Sequence, residues 1–454
     1  MRPLLFPAAA LALALLPLLG RNAARTTEIV VEPIGFQEQG IKIRPVPEAS
    51  TSLAVVKYSP RAESGPETGT ALQTFNEVLW ADLKFSALFQ LPSPGFFSPE
   101  AIRRPEDIKF EDFSKPEAQA EFVTFGNLLA SGDEIVLETY LYDVKTRQEI
   151  SAQRFRLRSA QIREAAHRVA DAIAEKLSAG QTRGVARTRI AFEVRRGRGK
   201  EIAVADYDGY NMQLLTMNGS VNVSPSWSPD GRRIVFASFV SGLPAIYAHE
   251  IASGARAVVS ASGSFNHMPV FSPDGSRIAF SSRSDRGDTD IFVAASDGTG
   301  RRNLTHSPGA DFSPTWSPTG RQIAFVSDRA GNPQIYLMDA DGSNVRRVVS
   351  EGGHAVSPNW SPDGRFIVYA WQPPKRFSYD LYLLNAASGQ IFQLTSTGAF
   401  NENPSWSPDS RHITFESSRS GGTQVFIMNA DGQNLRQITR EGVNANPAWS
   451  GYLQ

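Results

Sequence analysis

From Ile190 onward the chain carries short runs in which apolar side chains recur at every second position. Ile190-Ala191-Phe192, Ile234-Val235-Phe236, Ile278-Ala279-Phe280, Ile323-Ala324-Phe325, Ile367-Val368-Tyr369 and Ile413-Thr414-Phe415 are six copies of one such run. β-branched and aromatic residues at period two predict strands. A further run follows each copy, as in Ile246-Tyr247, Ile291-Phe292, Ile335-Tyr336, Leu381-Tyr382 and Val425-Phe426. A turn such as Asp339-Ala340-Asp341-Gly342 then leads to one more strand, ending in Leu304-Thr305, Leu394-Thr395 or Ile438-Thr439. Ahead of the copies stands Trp-Ser-Pro at Trp227, Trp316, Trp360 and Trp406, with Phe271-Ser272-Pro273 and a truncated Trp449-Ser450. These aromatic residues are 44, 45, 44, 46 and 43 positions apart. Four strands every 40–45 or so residues is the period of a propeller blade.

The two ends of the repeat complete each other. The Ile190 run has no Trp-Ser-Pro before it, and Pro447-Ala448-Trp449 has no strand after it. Joining them predicts six blades, closed by the C-terminal strand, with no exposed sheet edge left over. The Ser-Pro-Asp-Gly that follows the aromatic residue is a tight turn, because proline presets φ and glycine accepts positive φ. The repeated aspartates Asp230, Asp274 and Asp363 are therefore turn residues, and the repeated tryptophans are core.

The first third does not repeat. Leu53 to Val56 reads as a buried strand. The proline-free stretch 67–89, with Leu72, Phe75, Leu79, Leu83 and Leu88, predicts an amphipathic helix. Three strands follow over 122–129, 135–142 and 150–157. Ser159 suits a helix N-cap ahead of Ile162, Ala166, Val169, Ile173 and Leu177 at helical spacing. The expectation is a small α/β N-terminal domain over 51–180 followed by an all-β six-bladed β-propeller over 181–454. Arg2 and the apolar stretch Leu4–Leu19 predict a signal peptide over 1–24, too short to span a bilayer. The Pro-, Glu- and Arg-rich residues 25–50 predict an extended arm.

Composition narrows the chemistry. Lysine plus arginine equals aspartate plus glutamate at 46 each, which gives no electrostatic reason to expect nucleic acid as partner. Cysteine is absent, so disulfides, thiol nucleophiles, thiolate metal sites and an acylated lipoprotein anchor are excluded. No Gly-x-Ser-x-Gly elbow occurs. His249-Glu250 lacks the second histidine of a zinc helix pair, and Asp339-Ala340-Asp341-Gly342 lacks a calcium loop's later glycine and glutamate. His267, His306 and His354 recur before a first strand and read as polar rim residues rather than a shared metal site, and His167 reads as a packing residue. No cofactor, no metal, no catalytic group, a monomer and no membrane span after cleavage are the expectations.

Specificity should sit in the loops that enter each first strand, since the blades are committed to packing. Those loops hold Phe265, Asn266, His267 and Met268; Asp311, Phe312 and Ser313; Val356; Asn401, Glu402 and Asn403; and Asn446. Phe265, Met268 and Phe312 are apolar anchors among amides, a composition that suits a protein partner. The competing reading is a secreted propeller enzyme, a glycan lyase or hydrolase acting at the channel mouth.

Beyond the repeats, four segments resemble the TolB family, the periplasmic propellers of the Tol–Pal cell-envelope system. They are Ala165-Ala166-His167-Arg168-Val169-Ala170-Asp171, Thr188-Arg189-Ile190-Ala191-Phe192, Asp206-Tyr207-Asp208-Gly209-Tyr210-Asn211 and Pro447-Ala448-Trp449-Ser450. The resemblance covers about residues 51–454. It implies a non-enzymatic periplasmic adaptor that binds the peptidoglycan-associated lipoprotein Pal on the propeller face. It further implies contact with TolA through the N-terminal arm or domain, and a role in outer-membrane integrity and constriction at division.

Overall fold

The computed structural model describes residues 51–61, 68–96, 101–261, 265–349 and 352–453. The expected leader (1–24) and arm (25–50) lie outside them.

The N-terminal part is one mixed sheet under two long helices. Its long strands Phe122–Ser131, Glu134–Asp143 and Glu149–Arg158 pair antiparallel in sequence order. Thr51–Val55 adds to the first of them in parallel and pairs in parallel with Phe89–Gln90 on its other side. Helices Thr68–Phe85 and Ile162–Leu177 bring Phe75, Leu79, Leu83, Ala166, Val169 and Ile173 onto one core with Leu53, Leu128 and Leu137. The first helix stops at Phe85, earlier than its apolar spacing predicts, because Ala87 turns left-handed at φ 53°. Ser159 is not the N-cap of the second helix. It opens a single 3₁₀ turn, Ser159–Gln161, and its hydroxyl donates to the Asp133 carbonyl at 3.4 Å instead.

The remainder is six four-stranded antiparallel sheets, each in simple sequence order except the first blade. There Asn444–Trp449 is the inner strand and Arg189–Arg196, Gly199–Asp206 and Gln213–Leu214 follow it outward. Trp449 pairs with Ile190 and Asn444 with Val194, so the last strand joins the ring's two ends.

Blade-to-blade packing follows from the repeat. Trp227, Trp316, Trp406 and Trp449 are buried. The Trp227 indole donates to Ala448 O and that of Trp406 to Asn359 O, both at 3.2 Å, each reaching the preceding blade. The outer turns do the same through glycine. A Cβ on Gly342 would lie 2.6 Å from the Leu304 carbonyl of the preceding blade, and Gly209, Gly298 and Gly432 make the equivalent approach. Asp341 accepts from Ser343 N at 2.9 Å, which makes this segment a hairpin turn.

The N-terminal part rests on blades six and one. In an antiparallel blade the connections from strand one to two and from three to four share one face, and the other connections share the opposite face. His412, Tyr207 and Arg436 lie at the first kind of connection, and all three contact Phe85. Asp171 fixes the junction 179–188 by accepting from Ala186 N at 2.9 Å and Arg187 Nε at 3.0 Å.

Candidate functional site: the channel and its rim

The innermost strand of each blade has its open edge toward the axis, which is why all six tolerate a proline there: Pro225, Pro269, Pro314, Pro358, Pro404 and Pro447. Just before each proline the register shifts by a bulge. The residue at the bulge is left-handed in every blade: Ser224, Met268, Ser313, Ser357, Asn403 and Asn446, with φ between 49° and 55°. None is glycine, so the ring holds six side chains in a conformation that costs about 1 kcal/mol or more apiece. Strained backbone of this kind aims side chains. These six point at a central cavity of about 240 Å³.

The twelve predicted rim residues divide evenly. Phe265, Met268, Ser313, Glu402, Asn403 and Asn446 are partly accessible. Asn266, His267, Asp311, Phe312, Val356 and Asn401 are buried. Phe312 and Val356 pack together with Val326 beneath their own loops, so Phe312 is not an exposed anchor. The buried amides stitch neighbouring blades. Asn266 Nδ2 donates to Pro244 O at 3.1 Å and Asn401 Nδ2 to Tyr379 O at 3.2 Å. Asn222 and Asn444 occupy the same repeat position and bond Lys200 O and Gln424 Oε1, both at 2.9 Å. Asp311 is held by Arg329 at 2.9 Å. Their recurrence in five copies of the repeat was itself the sign of a structural role. The three histidines are separate: His267 stacks on Phe265, His306 is exposed beside Asn303, and His354 opens a first strand.

The channel wall is chemically lopsided. In blades four and five the level below the rim is apolar, with Phe312 opposite Val326 and Val356 opposite Ala370. In blade six Glu402 stands directly opposite Glu416, and in blade one Glu193 faces Ala445. Burial, then the Glu416 charge, pushes the Glu402 carboxyl up to about 8. Burial likewise raises Glu416, although Asn446 N donates to it at 2.5 Å. Glu193 is filled by Lys200 Nζ, Ser224 N and Asn446 Nδ2, each at 2.9 Å. Burial holds His267 down at about 4. Its Nδ1 lies 3.4 Å from Ser224 Oγ, long for proton transfer, and both residues are buried. Glu193 and Glu416 lie inside the alternating runs rather than in the loops, and their one signal in the sequence is that they replace the Ala237, Ser281, Val326 and Ala370 of the other copies.

A second polar centre lies between the domains. Asp82 Oδ2 accepts from His167 Nδ1 at 2.7 Å and Oδ1 from Tyr207 OH at 2.5 Å. Asp82 is a charged residue on the buried face of its helix, between Leu79 and Leu83. Burial raises its carboxyl above the usual range, against the pull of His167.

The sequence profile described as "TolB beta propeller domain" matches residues 175–379 and 374–452, and "TolB amino-terminal domain" matches 39–150. The chain is 36% identical over 259 residues to the "Tol-Pal system protein TolB" of Bordetella parapertussis, covering 57% of each chain. It is 37% identical over 319 residues to that of Anaeromyxobacter dehalogenans, covering 68% of this chain and 66% of the relative. The matched stretch thus spans little more than half the Bordetella protein's length. The crystal structure of TolB from Acinetobacter baumannii superposes with a TM-score of 0.74 at 26% identity, over 88% of this chain and 97% of that one. With the propeller profile alone matching more than half its length, and the same two-part architecture in a solved relative, this chain belongs to the TolB family.

Proposed function

We propose that the protein is a non-enzymatic periplasmic adaptor of the Tol–Pal system, whose propeller rim binds the peptidoglycan-associated lipoprotein Pal. On this reading it supports outer-membrane integrity and envelope constriction at division, and reaches TolA through its N-terminal arm or domain. Its relatives are named as components of that system rather than as enzymes. Among the described residues no helix is long and apolar enough to cross a membrane.

One observation carries the reading. The N-terminal domain occupies the face with His412 and Tyr207, while the loops entering the first strands lie on the other, so a docked partner and that domain do not compete. The half-accessible Phe265, Met268, Asn403 and Asn446 mix apolar contact with amide hydrogen bonding, as protein interfaces do. The test is calorimetric titration of the purified chain with the soluble domain of Pal from the same cell. Replacing Phe265 and Asn403 by alanine should weaken binding at least about tenfold, near 1.4 kcal/mol, with the thermal transition preserved. An unchanged Kd would retire the rim.

A further inference from the structure

The turn after the third strand of blade one and the helix Ile162–Leu177 bring three ligand-type side chains together. A ring nitrogen of His167 and carboxylate oxygens of Asp206 and Asp208 lie within 4.8 Å of one another, the one such trio among the described residues. Acidic residues alone would mean little. The second observation is on the histidine. His167 is only 4% exposed, and its buried Nε2 has no hydrogen-bond partner among the described residues. A buried ring nitrogen left unmatched costs about 1–3 kcal/mol unless something fills it.

The surroundings fix which nitrogen is offered. Both oxygens of Asp82 accept, one from Tyr207 OH and one from His167 Nδ1. Nδ1 is thereby committed to Asp82, and Nε2 is the ring nitrogen left for another partner. A carboxylate holding the remote nitrogen of an imidazole is the usual support of a metal-bound histidine, setting its tautomer and raising its basicity. The turn is equally constrained. Gly209 at φ 90° and Asn211 at φ 53° fold it back, and Asn211 Nδ2 donates to Asp206 Oδ2 at 2.5 Å. Among the described residues, Asp206 Oδ1 is approached by Arg189 at 3.6 Å. Asp208 gives one oxygen to Arg163 and keeps Oδ1, which accepts from Tyr210 N at 3.2 Å.

We propose that His167, Asp206 and Asp208 form a site for a divalent transition-type cation that ties the N-terminal domain to the first blade. One imidazole and two carboxylates suit zinc or cobalt, whereas calcium and magnesium prefer oxygen ligands alone. The Arg163 guanidinium, paired with Asp208, repels a cation and weakens its binding. The site is independent of the channel and its partner.

The test uses the untagged full chain after treatment with a chelator. Zinc titrated calorimetrically should bind at one equivalent and raise the melting temperature. Cobalt should give a visible absorption band, and zinc should shift the Nε2 resonance of a single histidine in long-range imidazole ¹⁵N spectra. Asp206→Asn, at a partly exposed position, should weaken zinc binding by about tenfold or more, whereas Asp230→Asn in a distant turn should not. Zinc affinity equal in Asp206→Asn and the parent chain, or no histidine resonance moving at saturating zinc, would overturn the proposal. The resonance test holds even if the variant fails to fold.

Discussion

His412 Nε2 donates to the backbone carbonyl of Phe85 at 2.7 Å, and the two rings stack at a centroid distance of 4.2 Å. One residue thus clamps the end of the first helix onto blade six. Phe85 also touches Tyr207 of blade one and lies under Arg436, so the clamp spans the seam where the ring closes. Replacing His412 by alanine removes the stack and leaves a buried carbonyl unmatched. A loss of about 2–3 kcal/mol is expected, with the two domains melting further apart as they uncouple. Differential scanning calorimetry reads both effects.

Closure by the last strand predicts a position-dependent cost at the C-terminus. Trp449 is buried, and its indole donates to Thr188 Oγ1 at 2.8 Å. Trp449→Ala should cost about 3–5 kcal/mol. Removing residues 444–454 should do more, since blade one then loses its inner strand. Urea melts of the variants against the parent chain decide this. A truncated chain with an unaltered midpoint would contradict strand exchange between the ends.

The outer-turn glycines predict a steric effect. Gly342 has φ 95° and approaches the Leu304 carbonyl. Gly342→Ala combines left-handed strain with a backbone clash, for a loss of about 2 kcal/mol or more. Gly389, at φ 74° with open space around it, should tolerate alanine better. The difference between the two melting temperatures is the measurement.

The facing pair Glu402 and Glu416 predicts a pH dependence. The folded Glu402 carboxyl titrates at about 8 against an ordinary 4.5. Between these values the unfolded chain has released a proton that the folded chain keeps. Its contribution to stability therefore falls as pH rises from about 4.5 to 8. Glu402→Gln should leave the melting temperature near pH 4.5 little changed and raise it by a few degrees at pH 8. Equal shifts at both pH values would mean the pair is not protonated.

The six-fold aromatic spacing, the alternating runs and the Pro-Asp-Gly turns determined the propeller, its blade count and the origin of its closing strand, because strand periodicity and turn chemistry are local properties. Local reading could not distinguish a loop residue that reaches solvent from one folded beneath its own loop. Phe312 and Met268 are both apolar residues of these loops, yet one is buried with Val326 and Val356 and the other lines the channel. Glu416 against Glu402 and His167 against Asp82 were decided only by tertiary structure. Those contacts join the faces of different elements, and the energy of a buried charge depends on what the fold places beside it rather than on its neighbours along the chain.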